Sequence, residues 1–94
     1  MQILPDPISF EWDPSNRHKN WDKHRVSYEE CEEVFFDSHK RILRDALHSG
    51  IERRFILLGK TFKGRALFLV FTIRDTKIRV ISARDLNRRE QRLL

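Results

Sequence analysis

Residues 65–83 read Arg65-Ala66-Leu67-Phe68-Leu69-Val70-Phe71-Thr72-Ile73-Arg74-Asp75-Thr76-Lys77-Ile78-Arg79-Val80-Ile81-Ser82-Ala83. Two apolar runs rich in β-branched and aromatic side chains flank Asp75-Thr76, a link short enough for an antiparallel hairpin. The pattern predicts strands over 65–74 and 77–83. A third strand, Arg53 to Gly59, precedes them and joins through Lys63-Gly64. The middle strand is apolar on both faces, which predicts a sheet covered on each side.

Toward the amino terminus, Ser9-Phe10-Glu11-Trp12 alternates polar and aromatic residues and reads as a short strand. Asp13 suits a helix N-cap and Pro14 the first helical position, so a mostly polar helix is expected to run to about His24. Its packing surface is Trp21, with the stem of Arg17 and the ring of His24 on the same face. A second helix is signalled by Ser27-Tyr28-Glu29-Glu30, a capping box, with Val26 able to staple onto Cys31. It is expected to reach about Phe36, burying the stripe Tyr28, Cys31, Val34 and Phe35 and turning Glu29, Glu30, Glu32 and Glu33 to solvent. Residues 37–52 are harder to read; Ile42-Leu43 suggests a short strand and His48-Ser49-Gly50 a turn. After Asp85, a candidate N-cap, residues 86–94 predict a terminal helix packing through Leu86, Leu93 and Leu94.

The expected architecture is therefore α+β: a small antiparallel sheet of three main strands plus a short N-terminal strand, packed with two N-terminal helices and a C-terminal helix. At 94 residues, without repeats or a linker, the chain reads as one domain near the lower size limit for a useful core. Cys31 is the sole cysteine, so no intrachain disulfide forms and a reducing compartment is favoured. His18, His24, His39 and His48 lack metal-ligand spacing, and neither metal nor cofactor is expected. No signal peptide and no apolar segment of bilayer length is present, which predicts a cytoplasmic protein without a membrane partner.

Charge is divided unevenly. Residues 1–47 carry 7 Lys/Arg against 10 Asp/Glu, a balance of −3, whereas residues 48–94 carry 12 against 4, a balance of +8. Arg65, Arg74, Arg79 and Arg84 fall on the predicted strands, so the basic surface is rigid, and a rigid basic surface suggests a polyanion, nucleic acid first.

A metal-free ribonuclease must activate the ribose 2′-hydroxyl, stabilise charge building on phosphorus and protonate the leaving oxygen; arginines suit the second task, and His or Glu the proton transfers. His48-Ser49-Gly50-Ile51-Glu52-Arg53-Arg54 brings an imidazole, a carboxylate and two guanidiniums within seven positions. The same spacing suits a turn in which Ser49 and Glu52 cap backbone groups. Strand alternation puts Arg79 opposite Ile78 and Val80, on a face shared with Lys77, Ile81 and Ala83. Arg79 can serve there as a catalytic group or as an ion-pair partner for Glu32 or Glu33. Lys23-His24 can meet RNA or complement a helix dipole, and Arg88, Arg89 and Arg92 steer anions or are solvated.

Taken in order, Phe10-Glu11-Trp12-Asp13, Asn20 with Lys23-His24, Val26-Ser27-Tyr28-Glu29-Glu30, Val34-Phe35 with Asp37, His48-Ser49, Glu52, Arg54-Phe55, Gly59, Gly64-Arg65, Ile78-Arg79-Val80-Ile81-Ser82-Ala83-Arg84 and Glu90 resemble the BrnT toxins of type II toxin–antitoxin systems. The resemblance spans nearly the whole chain. It implies a RelE-like fold, a ribonuclease that inhibits translation, and neutralisation by a BrnA-like antitoxin whose ribbon-helix-helix domain carries the complex to operator DNA. Two positions depart from the pattern: Arg25 stands where the family usually has glycine, and the ending Glu90-Gln91-Arg92-Leu93-Leu94 lacks the family's frequent aromatic residue. On this basis Arg79 and Arg65 are expected at the scissile phosphate and His48 or Glu52 in proton transfer. Arg84, Arg54, Lys23, His24 and Arg74 are expected along the RNA backbone. The competing expectation is a non-catalytic basic module that docks an acidic partner or nucleic acid.

Overall fold

A computed structural model describes residues 3–14, 17–46, 50 and 52–94. Along the chain come α1 (Lys19–His24), α2 (Tyr28–Glu33), a 3-10 turn (Val34–Phe36), β1 (Arg41–Asp45), β2 (Arg54–Lys60), β3 (Ala66–Arg74), β4 (Lys77–Asp85) and a second 3-10 turn (Glu90–Leu93). The fold is α+β, with four antiparallel strands in the order β1-β2-β3-β4. The fourth main strand is β1, from the stretch that read as a hint of strand at Ile42-Leu43. The expected N-terminal strand is reduced to one parallel bridge, Phe10 to Ile78, held by Ile78 N–H to Ser9 O (2.8 Å) and Glu11 N–H to Ile78 O (2.9 Å).

One sheet face carries the core. Leu57, Leu67, Leu69, Phe71, Ile78, Val80 and Ala83 are buried there against Val26, Cys31, Val34 and Phe35. Phe35 sits edge-on to Phe71 at 5.0 Å and to Phe10 at 5.2 Å. Each such aromatic or aliphatic side chain contributes about 2 kcal/mol on leaving water, and the ring pairs add a little more. Gly59 lets the 3-10 turn come close, since a Cβ there would lie 3.1 Å from the Val34 carbonyl oxygen. Burial, with Glu30 and Glu32 nearby, pushes the Cys31 thiol up to about 12, so it acts as a small apolar residue.

The second helix starts as its capping box dictates. Ser27 Oγ accepts the Glu30 N–H at 3.1 Å, and Glu30 Oε1 accepts the Ser27 N–H at 3.0 Å. Regular helix ends at Glu33 and a 3-10 turn completes the expected span to Phe36. The first helix is shorter than its N-terminal signals suggested: a hydrogen bond from Arg17 N–H to Asp13 O marks one turn, but α1 begins only at Lys19. A polar helix with Asn20 as its buried residue has little packing to extend it. It stops at Arg25, whose φ of 55° and ψ of 37° are left-handed, the conformation for which glycine is the usual choice.

Three further expectations are corrected. The C-terminal helix is a 3-10 turn: Asn87 and Glu90 bond each other's backbone N–H groups at its start (2.8 and 3.0 Å), but Leu93 and Leu94 stay exposed, so little packing extends it. Among the described residues the sheet is not covered by α-helices on both faces: α2, its 3-10 extension and the N-terminal segment join one core cluster on one face. Finally, Ala83 does not share a face with Arg79. The pairing shifts between Val70 (opposite Ser82) and Phe71 (opposite Val80), leaving Ile81 as the extra residue of a β-bulge. Alternation therefore restarts after Ile81, and Ala83 turns into the core, 1 % exposed.

Candidate nucleic-acid interface

The face turned away from the core has an apolar floor, Leu43 of β1, Ile56 of β2 and Val70 of β3, which are in register across the strands. Guanidiniums stand around it. Paired residues of antiparallel strands share a face, so Arg79, opposite Thr72, and Arg84, opposite Phe68, both project here. Arg74 follows Thr72 by two positions on the same face, and Arg54 precedes Ile56 by two. The register places Arg79 and Arg84 about 13 Å apart along the sheet, four residues of β3 at about 3.3 Å each.

At one end of this face Arg79 donates from Nη1 to Glu11 Oε1 (3.1 Å) and from Nη2 to Asp13 Oδ2 (2.7 Å). The alternation Phe10-Glu11-Trp12-Asp13 explains both partners: Phe10 and Trp12 pack on the core, so Glu11 and Asp13 face the other way. Arg74 holds Glu52 through Nε (3.1 Å) and Nη2 (2.5 Å). At the far end Arg84 lies 4.1 Å over the Phe68 ring and grips Glu90 with two 2.8 Å bonds, while Arg41 Nη1 donates to Leu93 O at 3.0 Å. The C-terminal turn thus crosses only that end.

Arg65 lies elsewhere. It shares alternation with Leu67 and Leu69 and so belongs to the helical face. Its Nε and Nη2 hold Asp85 (2.7 and 3.0 Å), Nη1 holds Glu30 and the Arg25 carbonyl, and Nη2 also reaches the His24 carbonyl. All five guanidinium N–H groups therefore have protein acceptors. Arg79, by comparison, shows two such bonds and Arg84 three among the described residues.

The expected site residues thus separate. Arg79, Arg74, Glu52 and Arg54 share one end of the open face, with Arg84 at its other end. Arg65, Lys23 and His24 gather on the helical side, where the Arg65 guanidinium holds the Asp85 carboxyl below its ordinary value. His48 lies outside the described residues. The ion-pair partners Glu11 and Asp13 replace the expected Glu32 or Glu33; Glu32 instead accepts the Trp12 indole N–H at 2.8 Å. Among the described residues no group of three His, Cys, Asp or Glu is placed to hold a metal ion, and no helix is long and apolar enough to cross a membrane.

The ion pairs keep Arg79 and Arg84 charged: bonding to Asp13 and to Glu90 respectively raises their pKa despite partial burial. In return the Arg84 guanidinium, aided by the Asn87 N–H, draws the Glu90 carboxyl down from 4.5 to about 2. A depressed folded-state pKa gives stability that is present above the unfolded value and is lost as pH falls through the folded value. Thermal unfolding of the wild type is accordingly expected to lose stability between pH 4.5 and about 2, and Glu90→Gln, already less stable at pH 7, is expected to show a shallower fall.

A search of curated proteins returns no match for the sequence. A family model described as the ribonuclease toxin BrnT of type II toxin–antitoxin systems matches residues 12–90, a span that includes Asp13, Arg65, Arg79, Arg84 and Glu90, and the chain belongs to that family.

Proposed function

We propose that the chain is a metal-independent RNA endonuclease whose working surface is the open sheet face, and that it acts in the cytoplasm to inhibit translation. The observation that carries this reading is the placing of two arginines of one strand, Arg79 and Arg84, on a sheet face that no α-helix covers among the described residues. Phosphates exchange with the carboxylates that now occupy these guanidiniums. Arg79 stabilises the charge that builds on the scissile phosphate, while Arg74, Arg54 and Arg84 hold the flanking backbone. Glu52, at the same end as Arg79, and His48, in the sequence between β1 and β2, supply the proton transfers. Arg65 is assigned to architecture, with Lys23 and His24 as peripheral contacts. Membership of a toxin–antitoxin family supports an antitoxin partner; we take this to be BrnA-like, with a ribbon-helix-helix domain that brings the complex to operator DNA.

The test is incubation of purified protein with single-stranded RNA in EDTA. Attack by the 2′-hydroxyl leaves 2′,3′-cyclic phosphate and 5′-hydroxyl ends, and these are the expected products. Absence of cleavage, or cleavage only after Mg²⁺ is restored, overturns the proposal. A second reading draws on the same ion pairs: a face that already holds carboxylates suits an acidic protein partner without catalysis. It requires binding that weakens steeply with salt and leaves RNA intact.

A further inference from the structure

The five-residue spacing between Arg79 and Arg84 is odd, so a regular strand would send them to opposite faces. The bulge at Ile81 is what brings them to the same one. We propose that Asn20 is the residue that holds this bulged end of β4 in place, and is thereby a positioning residue for Arg84. The inference rests on the open face as the RNA-binding surface, but its geometric part stands independently of cleavage.

Asn20 is 5 % exposed and its Oδ1 accepts the Ala83 N–H at 3.0 Å. That N–H points away from β3, on the edge of β4 where no further strand lies among the described residues. The N-terminal segment reaches β4 at Ile78, through the bonds to Ser9 and Glu11, and provides no partner five residues further on. A bulge weakens the local ladder, and a buried N–H left unpaired there would be costly. The Asn20 amide therefore substitutes for a missing strand at the point where β4 resumes regular pairing. Asn20 is itself fixed, since its carbonyl oxygen accepts the Val26 N–H (3.2 Å) at the end of α1. One residue beyond Ala83, Arg84 lies over Phe68 and binds Glu90.

Two readouts test the proposal in the full chain. The first is the ring-current shift of the Arg84 side-chain NMR resonances caused by Phe68. It is expected to collapse in Asn20→Ala and to persist in Asn20→Asp, which keeps the acceptor. The second is single-turnover RNA cleavage. Asn20→Ala is expected to lower the rate roughly tenfold to a hundredfold, as misplaced catalytic groups do. In an Arg84→Ala background it is expected to add no further loss, whereas a general loss of stability would add to it. An unchanged Arg84 shift in Asn20→Ala, or loss of that shift in Asn20→Asp, overturns the inference. If the wild type does not cleave RNA, the functional reading fails while the NMR comparison still decides the positioning role. If Asn20→Ala does not fold, Asn20→Asp with the Arg84 shift retained supports it.

Discussion

Arg79→Ala is expected to reduce RNA cleavage about 10²–10³-fold, the usual cost of removing one preorganised donor from a charge-developing transition state. The thermal midpoint should change little. The Arg79 side chain is 25 % exposed and its partners Glu11 and Asp13 are 39 % and 34 % exposed, so solvent screens these partly exposed pairs and they contribute about 1 kcal/mol at most. Arg79→Lys should not restore the rate, because an ammonium cannot present the two-pronged donor set that a phosphate takes from a guanidinium. Glu11→Gln and Asp13→Asn make the complementary case. If these carboxylates occupy Arg79 until RNA displaces them, neutralising either should tighten RNA binding and leave the cleaved ends unchanged. Single-turnover kinetics on labelled RNA, with a melting curve for each variant, read both effects. Undiminished cleavage by Arg79→Ala would remove the proposed catalytic role.

The parts of this fold that could be read from sequence are those fixed by local chemistry. β2, β3 and β4 follow from apolar runs rich in β-branched and aromatic residues bounded by short links, and α2 starts where Ser27 and Glu30 exchange hydrogen bonds, a pairing visible in their spacing. The parts that could not be read depend on partners distant in sequence. β1 has only Ile42 and Leu43 as apolar residues among Arg41, Arg44 and Asp45; it is a strand because β2 lies beside it. The bulge at Ile81 appears only when β4 is counted against β3, and without that count Ala83 falls with Arg79 and Arg84 falls opposite it. At the C-terminus Asn87 and Glu90 did carry the N-cap spacing, but Asp85 drew the reading because its engagement with Arg65 is invisible in sequence. The site followed the same rule. That arginines on strands form the surface was legible; which of them face outward was not, because that is set by strand parity and by the bulge.

Arg65 shows why the distinction matters, since composition and resemblance gave it the same expected role as Arg79. Its guanidinium ties together the carbonyls that end α1 (His24 and Arg25), the first turn of α2 (Glu30) and the end of β4 (Asp85). Arg65→Ala leaves two carboxylates and two carbonyls without their donor. For a fully buried pair this costs about 3–5 kcal/mol, but the Glu30 and Asp85 side chains are 26 % and 59 % exposed and recover water, so about 2 kcal/mol is expected. In a chain of this size that lowers the thermal midpoint by roughly 10 °C. Both carboxyls are held below their ordinary values, Glu30 by the Ser27 N–H and by Arg65 against the effect of partial burial, Asp85 chiefly by Arg65. Their contribution is therefore complete at neutral pH and is lost as pH falls below the ordinary carboxylate range. The gap between wild type and Arg65→Ala should narrow accordingly near pH 3. Arg65→Lys, with three donors in place of five, should recover only part of the loss. Melting curves at pH 7 and pH 3 separate the two arginines: a stable Arg65→Ala protein that no longer cleaves RNA would return Arg65 to the phosphate, whereas a destabilised protein that still cleaves at low temperature is the result the clamp requires.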